Sequence, residues 1–276
     1  QFSPISSIYN RPSSKLFITY LTKNFIMRPL TSNINPNSTT FKENQKAMRD
    51  LVAQLNQHLA AGRFEGKEKS LERARKRGKL LARERIELLL DRDSPFLELL
   101  PLAGMLKKGG FGTGGTNVSG IGMVHGKLCM INSNVGTRKG GSVDEATVFK
   151  GLRIGDITRE CRLPTVNLVE SGGANLTDQA KIFNYGGASF REITQRSQLG
   201  IPTISIVFGN ATAGGAYVPG MSDYSIFQKQ AAKVFLAGPP LVKMATQEET
   251  TDEELGGAEM HSRVSGVADY LAEDER

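Results

Sequence analysis

Residues 163–174 read Leu-Pro-Thr-Val-Asn-Leu-Val-Glu-Ser-Gly-Gly-Ala, and residues 202–216 read Pro-Thr-Ile-Ser-Ile-Val-Phe-Gly-Asn-Ala-Thr-Ala-Gly-Gly-Ala. Each begins with a β-branched run too short for a helix, which predicts a buried strand that ends in a glycine turn. Glycine lets a ligand approach the backbone, and a following helix aims unpaired N–H groups at it. If the two turns meet, the amides of their glycines form an oxyanion hole without a catalytic side chain: Gly172, Gly173, Gly214 and Gly215.

The neighbouring sequence continues an alternation of strands and helices. The periodicity predicts strands at 118–124, 127–135, 224–227 and 233–236, with helices at 143–160, 177–198 and from 252. Ser142 and Glu145 have the spacing of a capping box at the start of the first of these helices. Repeated strand, turn and helix units imply an α/β core with helices on the outside.

The N-terminal segment, residues 1–42, differs in charge from the rest. The chain of 276 residues carries a formal charge of +7, and this segment holds basic residues but no acidic one. A segment without acids that is rich in Ser, Thr and Asn is typical of a mitochondrial transit peptide, and a disordered leader is the alternative. No apolar run reaches the roughly 20 residues of a membrane helix. We therefore expect a protein of the mitochondrial matrix with no membrane partner.

Two helical stretches follow the leader. Apolar residues at helical spacing predict an amphipathic helix over 45–61, and residues 63–92 are strongly basic. The basic side chains could meet phosphates or an acidic neighbouring subunit, but a solvated helix face is the expected role for most of them.

Several other motifs indicate no catalytic chemistry. The glycine-rich loop at 107–115 lacks the spacing of a nucleotide site, so we expect a flexible surface loop. Cys129 and Cys161 are expected to be buried small residues in a reducing compartment. Ser171 lacks the preceding glycine of a nucleophile elbow, and the scattered histidines predict neither a triad nor a metal site.

Longer motifs accompany the two glycine turns, at residues 218–223 (Val-Pro-Gly-Met-Ser-Asp), 235–243 (Phe-Leu-Ala-Gly-Pro-Pro-Leu-Val-Lys) and 254–258 (Glu-Leu-Gly-Gly-Ala). From about Gln45 to the C-terminus, these motifs resemble the carboxyltransferase (β) subunits of biotin-dependent acyl-CoA carboxylases. Within that family, Ala-Gly-Gly-Ala-Tyr-Val-Pro and the 235–243 run are most similar to the methylcrotonoyl-CoA carboxylase branch.

The resemblance implies a crotonase-like fold of ββα repeats. Residues 43–276 would form the N-terminal carboxyltransferase domain, with a helical arm at 43–92 and the core at 93–276. The family continues into a second homologous domain, so we expect this chain alone to bind acyl-CoA weakly and to turn over nothing.

The resemblance also implies the reaction, in which a carboxyl group moves from carboxybiotin to an acyl-CoA, here 3-methylcrotonoyl-CoA in leucine degradation. The glycine amides would hold the negative charge of the thioester enolate. Biotin would be carried by an alpha subunit that uses ATP and bicarbonate, and the β subunits would form a homo-oligomer, a hexamer in the full complex. The implied substrate-binding residues are Ala174, Ala216, Tyr217, Gly140 and Gly141.

Three alternatives stay open at this point. Residues 175–179, Asn-Leu-Thr-Asp-Gln, stand where the methylcrotonoyl branch has Tyr-Leu-Pro-Arg-Gln, which leaves propionyl-, acetyl- and geranoyl-CoA as substrates. A hydratase or isomerase on the same scaffold would use Glu170 or Asp178 as its acid. A basic nucleic-acid-binding protein would rest on residues 63–92, but that run lacks interleaved aromatic residues, and no nucleic-acid partner is expected.

Overall fold

A computed structural model describes residues 31–108 and 110–276. The chain divides into two compact units, Gln1–Leu51 and Val52–Arg276. Helix α1, Thr39–Gly62, confirms the predicted amphipathic helix and begins before residue 45. Most of the predicted leader, residues 1–30, lies outside the described part of the chain. None of the described helices is both long and apolar enough to cross a membrane.

Helices and strands alternate along Val52–Arg276. The further helices are α2 (Glu68–Lys76), α3 (Ala82–Leu89), α4 (Glu145–Glu160), α5 (Gln179–Gln198), α6 (Tyr217–Gly220), α7 (Pro239–Thr246), α8 (Asp252–Gly256) and α9 (Ala258–Met260). The strands are β1 (Leu97–Leu99), β2 (Asn117–Val124), β3 (Lys127–Asn134), β4 (Thr165–Ser171), β5 (Thr203–Thr212), β6 (Tyr224–Gln228), β7 (Lys233–Phe235) and β8 (Tyr270–Ala272). Short 3₁₀ turns lie at Lys139–Gly141, Leu176–Asp178 and Ala213–Ala216, and a π-helix at His261–Ser265. The α/β class predicted from the sequence is confirmed.

The described strands form one mixed sheet. Its order is β1-β2-β3-β4-β5-β6-β8, and β7 pairs with the end of β5. The β1-β2 and β2-β3 pairs are antiparallel, whereas neighbours from β3 onward are parallel. Because parallel strands end at the same edge of a sheet, the segments that follow β3, β4 and β5 are brought together there.

Strand β4, Thr-Val-Asn-Leu-Val-Glu-Ser, lies between two parallel neighbours and is buried over almost its whole length. All of its residues except Glu170 are buried. A strand covered on both faces needs no alternation of polar and apolar residues. Glu170 therefore interrupts an otherwise buried strand.

Helices α3 and α4 cover opposite faces of the sheet. Ile131 of β3 packs with Ala82 and Ile86 of α3, whereas the preceding residue, Met130, packs with Ile154 of α4. Successive side chains of a strand point to opposite faces, so each helix closes one side of the core. Helix α5 packs against α4.

The start of α4 differs from the predicted capping box. The N-cap is Asp144, whose carboxylate Oδ1 accepts a hydrogen bond from the Thr147 N–H at 2.9 Å, and the helix begins at Glu145. The prediction that Ser142 caps this helix is wrong. Serine and aspartate are both good N-caps, so residue type alone did not separate the two positions.

Two further expectations need correction. Cys129 is buried as predicted, but Cys161 is exposed because it lies at the C-cap of α4, just beyond the packed turn. The glycine-rich loop is anchored at 113–115: Arg138 Nη1 donates to the carbonyls of Thr113 and Gly115, at 2.8 and 2.6 Å. The loop was expected to be flexible, and this part of it is tied to the core.

Candidate active site

The turn after β4 and the turn after β5 are in direct contact, as the sequence predicted. A Cβ placed on Gly173 would lie 2.8 Å from the carbonyl oxygen of Thr212, and a Cβ on Gly215 would lie 3.1 Å from Ser171 Cβ and Oγ. Gly173 also has a φ of +81°, which L side chains rarely adopt. Only glycine fits this contact and this conformation together.

The glycine pair at 140–141 joins the same cluster. The Gly172 N–H donates to the Gly140 carbonyl at 2.8 Å, and the Val143 N–H donates to the Gly173 carbonyl at 2.8 Å. A Cβ on Gly141 would clash with the carbonyl oxygen of Glu170. The structure therefore brings together all three glycine pairs that the sequence singled out.

The amides of the two turns are used differently. The N–H groups of Gly172 and Gly173 are engaged within the protein, by the Gly140 carbonyl and by Ser171 Oγ at 3.2 Å. Gly214 and Gly215 lie at the start of the Ala213–Ala216 3₁₀ turn, where the first N–H groups have no partner inside the helix. Within the described residues, neither amide donates outside that turn. The second turn therefore supplies the open donors.

The side chains around the two turns pack against, or form hydrogen bonds with, other parts of the protein. Ser171 is buried, and its Oγ donates to the Gly141 carbonyl at 3.2 Å. Tyr217 is half-exposed and packs on Phe190 with ring centroids 4.8 Å apart. Ala216 is buried beside it, and Ala174 forms a bridge with Val143. No group of three or more His, Cys, Asp or Glu suited to a metal ion lies among residues 31–108 and 110–276.

A cavity of about 910 Å³ opens on the Gly140 and Gly172 side of this cluster. Its walls include residues from α2, the segment after it, and the loops at 110–113 and 136–140. The Gly214–Tyr217 turn does not line it, and its Gly215 contacts Ser171, the residue before Gly172. The basic residues of the cavity wall are Lys67, Arg73, Arg77, Lys79, Arg85, Arg138 and Lys139.

The charges of the cavity are arranged unevenly. Lys79 and Arg85 form ion pairs with Glu170, which is the acidic residue of the wall. Within the described residues, Lys67, Arg73 and Arg77 have no carboxylate within 4.0 Å, and all three lie on or beside α2. Arg138 and Lys139, beside Gly140, likewise have no carboxylate within 4.0 Å among the described residues, so unpaired cations lie both along α2 and near the first glycine turn.

Glu170 is not suited to general acid catalysis. Burial opposes ionisation of its carboxyl, but the charges of Arg85 and Lys79 outweigh burial and hold the pKa of Glu170 below its usual range. A catalytic acid at neutral pH needs a raised pKa. Asp178, the other candidate, accepts a hydrogen bond from Asn175 Nδ2 at 3.0 Å within its own turn. These contacts disfavour the hydratase or isomerase alternative.

Most of the basic run is exposed to solvent, as the sequence predicted, and Arg85 is the exception. Arg85 is 3% exposed and bonded to Glu170 and Glu275. Arg73 and Arg77 face a cavity instead of open solvent alone. The density of basic residues at 63–92 was the available signal, but it did not say which of them meet the core.

Comparison with known proteins identifies the class to which this fold and site belong. Residues 73–276 match the Carboxyl transferase domain family, so the chain belongs to that family. The predicted resemblance and the crotonase-like fold class are therefore confirmed.

Individual relatives refine this placement. The chain is 53% identical over 246 residues to the "Probable biotin-dependent acyl-coenzyme A carboxylase beta2 subunit" of Mycobacterium tuberculosis, covering 89% of this chain and 46% of that protein. It is 45% identical over 271 residues to the mitochondrial methylcrotonoyl-CoA carboxylase beta chain of Arabidopsis thaliana, covering 96% and 46%. The beta subunit of geranyl-CoA carboxylase from P. aeruginosa superimposes with a TM-score of 0.75 at 40% identity, covering 89% and 46%. The chain spans about half the length of these relatives.

Proposed function

We propose that this chain is the N-terminal domain of a carboxyltransferase subunit in a biotin-dependent acyl-CoA carboxylase. It would act in the mitochondrial matrix on 3-methylcrotonoyl-CoA. The observation that carries the proposal is the cavity that joins the basic residues on and beside α2 to Gly140 and Gly172, next to the contact between the two glycine turns. Its unpaired basic residues suit a ligand that carries phosphates.

The basic residues of α2 would bind the phosphates of coenzyme A. Arg73 and Arg77 present guanidinium groups, which donate two parallel hydrogen bonds to a phosphate. Lys79 and Arg85 are already paired with Glu170 and would not be the phosphate ligands. The thioester would lie beyond Gly172, where Gly215 of the second turn contacts Ser171.

The glycine turns would stabilise the transition state. Biotin, carried by a partner subunit, would supply the carboxyl group and accept the proton that the acyl-CoA loses. The N–H groups of Gly214 and Gly215 would hold the negative charge that develops on the thioester oxygen. Backbone amides are fixed before the reaction and do not titrate, and each would contribute on the order of 3 kcal/mol.

The assembly would contain several copies of the full subunit and a biotin-carrying alpha subunit that uses ATP and bicarbonate. The relatives are named as beta subunits or beta chains, which supports a complex with a different partner subunit. The full-length beta subunits would form a hexamer within that complex. The leader at residues 1–42 would direct the protein to mitochondria, as the name of the Arabidopsis relative suggests.

The test is carboxylation by the full-length subunit assembled with its biotin-bearing partner. The substrates to compare are 3-methylcrotonoyl-, geranoyl-, propionyl- and acetyl-CoA, with Gly173→Pro as the inactive variant. Preferred turnover of 3-methylcrotonoyl-CoA that is lost in the variant supports the proposal. Preference for another acyl-CoA would show that this acyl-CoA, and not 3-methylcrotonoyl-CoA, is the substrate. An intact complex that carboxylates none of the four would refute the proposed reaction.

A further inference from the structure

Glu170 lies at an irregularity in the pairing of β4 with β5. Val169 is paired with Val207, but Ser171 is paired with Ala211, so residues 208–210 of β5 stand opposite Glu170 alone. Bulges of this kind redirect side chains and occur next to active sites. Here the bulge lies immediately before the first glycine turn.

Two glycines leave the space that the Glu170 carboxyl occupies. A Cβ on Gly136 would lie 2.6 Å from Glu170 Cδ, and a Cβ on Gly209 would lie 3.0 Å from the same atom. Neither glycine has a positive φ, so their backbone conformations do not require glycine. Because neither glycine has a side chain, the space between them forms a slot that holds one carboxyl group.

The charges around the slot fix that carboxyl in place. Arg85 Nη1 donates to Glu170 Oε2 at 2.8 Å, and Lys79 Nζ pairs with the other oxygen. Arg85 itself is held by Glu275, through two bonds of 2.8 Å, and by the ring of Phe208, whose centroid is 4.5 Å from its Cζ. The bulge therefore supplies Phe208 beneath Arg85 and Gly209 beside the carboxyl.

The backbone of Glu170 is held as tightly as its side chain. Its N–H donates to Asn134 Oδ1 at 3.2 Å, and its carbonyl abuts Gly141. The chain then passes through Ser171, which contacts Gly215, to Gly172 and Gly173. A shift at Glu170 would move both glycine turns relative to each other.

We propose that Glu170 is a positioning residue for the carboxyltransferase reaction: the slot between Gly136 and Gly209, with Arg85 and Lys79, fixes the start of the 171–174 turn and so aligns the two turns. This inference rests on the proposed function for its kinetic consequence. Glu170 acts through the turn and takes no part in proton transfer.

The matched control is Glu192, another carboxylate that is paired with an arginine. Glu192 pairs with Arg159 between α4 and α5, is 5% exposed and does not line the cavity. Glu170→Gln and Glu192→Gln each remove one ion-paired charge and keep the volume of the side chain. A purely stabilising role for Glu170 predicts equal behaviour of the two variants.

The experiment compares both variants in the full-length subunit assembled with its biotin-bearing partner, by steady-state kinetics and by amide hydrogen exchange. For Glu170→Gln, kcat should fall at least ~10-fold while KM for acyl-CoA changes less than ~3-fold, because misplaced donors lose transition-state binding. Exchange over residues 171–175 should become faster. For Glu192→Gln, kcat should stay within ~2-fold, since the Arg159–Glu192 pair joins α4 to α5 and does not contact the glycine turns.

Gly209→Ala serves if Glu170→Gln does not assemble. It keeps every charge and pushes a methyl group toward the carboxyl, so it should speed exchange over 171–175 in the same way. A kcat loss no larger than that of Glu192→Gln, or unchanged exchange at 171–175, would overturn the inference. If the wild-type complex carboxylates no acyl-CoA, the proposed function fails, and the exchange comparison alone decides the role of Glu170.

Discussion

Gly173 approaches the carbonyl oxygen of Thr212 so closely that a Cβ would lie 2.8 Å from it. The distance joins two turns that are about forty residues apart in sequence, and a backbone atom cannot yield as a flexible side chain can. The alignment of the two turns therefore depends on the absence of one methyl group.

Gly173→Ala should consequently impair catalysis more than folding of the rest of the protein. The added Cβ and the φ of +81° together should cost about 1–3 kcal/mol, and the shift of the turn should lower kcat about 100-fold. Carboxylation assays and thermal unfolding of the full-length complex measure both effects.

Gly187→Ala is the control for that variant. Gly187 lies inside α5 with nothing within 4 Å of its Cβ position, so alanine should raise stability by up to about 1 kcal/mol without changing kcat. Full activity of Gly173→Ala would contradict the contact between the turns.

Removing the cationic wall on α2 should weaken substrate binding with little effect on the chemical step. For Arg73→Ala combined with Arg77→Ala, KM for acyl-CoA should rise about 10-fold at low salt, and the difference should shrink as salt is added. The paired control is Arg153→Ala with Arg191→Ala, which removes the same charge from exposed positions on α4 and α5 outside the cavity. An equal rise in KM for the two double variants would mean that substrate binding depends on the net charge of the protein and not on the position of Arg73 and Arg77.

The burial of Lys150 should make the stability of the fold depend on pH. Its side chain is buried, and Nζ donates to the carbonyls of Gly114 at 3.1 Å and Asn117 at 2.6 Å. Burial lowers the pKa of Lys150 to about 8. Between that value and the unfolded value of about 10.4, the unfolded chain binds more protons, so folding becomes more favourable as pH rises.

The measurement is denaturant unfolding of wild type and Lys150→Met from pH 7 to pH 10. The difference in unfolding free energy, wild type minus variant, should be flat below about pH 8 and rise above it, toward a total on the order of 3 kcal/mol. If this difference in unfolding free energy stays constant from pH 7 to pH 10, the fold does not disfavour the charged form of Lys150.

Arg138 should not be replaceable by lysine. Its guanidinium donates to the carbonyls of Thr113, Gly115 and Phe64, a set that a single ammonium group cannot match in geometry. Arg138→Lys should lower the unfolding free energy by about 2 kcal/mol. Arg162→Lys, at an exposed arginine that donates to the Leu199 carbonyl, should change it by less than about 0.5 kcal/mol. Equal losses would contradict the anchoring role of Arg138.

The sequence predicted the elements whose signal is local. Strands β4 and β5 were predicted because each is a short β-branched run that ends in a glycine turn, and the oxyanion hole was expected if the two turns met. The N-cap of α4 was misplaced because Ser142 and Asp144 both carry suitable oxygens. Local sequence patterns therefore predict that a helix or strand exists more reliably than they predict the residue at which it begins.

The charge cluster could not be predicted in the same way. Arg85 and Glu170 are 85 positions apart, and no periodicity in one sequence relates two such residues. The basic run around Arg85 suggested a solvated face because most charge runs are solvated. The slot formed by Gly136 and Gly209 gave no local signal at all, since glycines within and after strands usually mark turns or bulges.

The bond between Arg85 and Glu275 spans 190 positions of the chain, whereas Arg85 meets Glu170 after 85. During synthesis from the N-terminus, the first partner therefore leaves the ribosome long before the second. Until residue 275 emerges, Arg85 carries a buried charge that only one carboxylate faces, and edge strand β8 has not yet been added. The ion pairs around Arg85 are thus completed only after residue 275 has emerged, so the nascent chain holds Arg85 with a single carboxylate over the synthesis of more than a hundred residues.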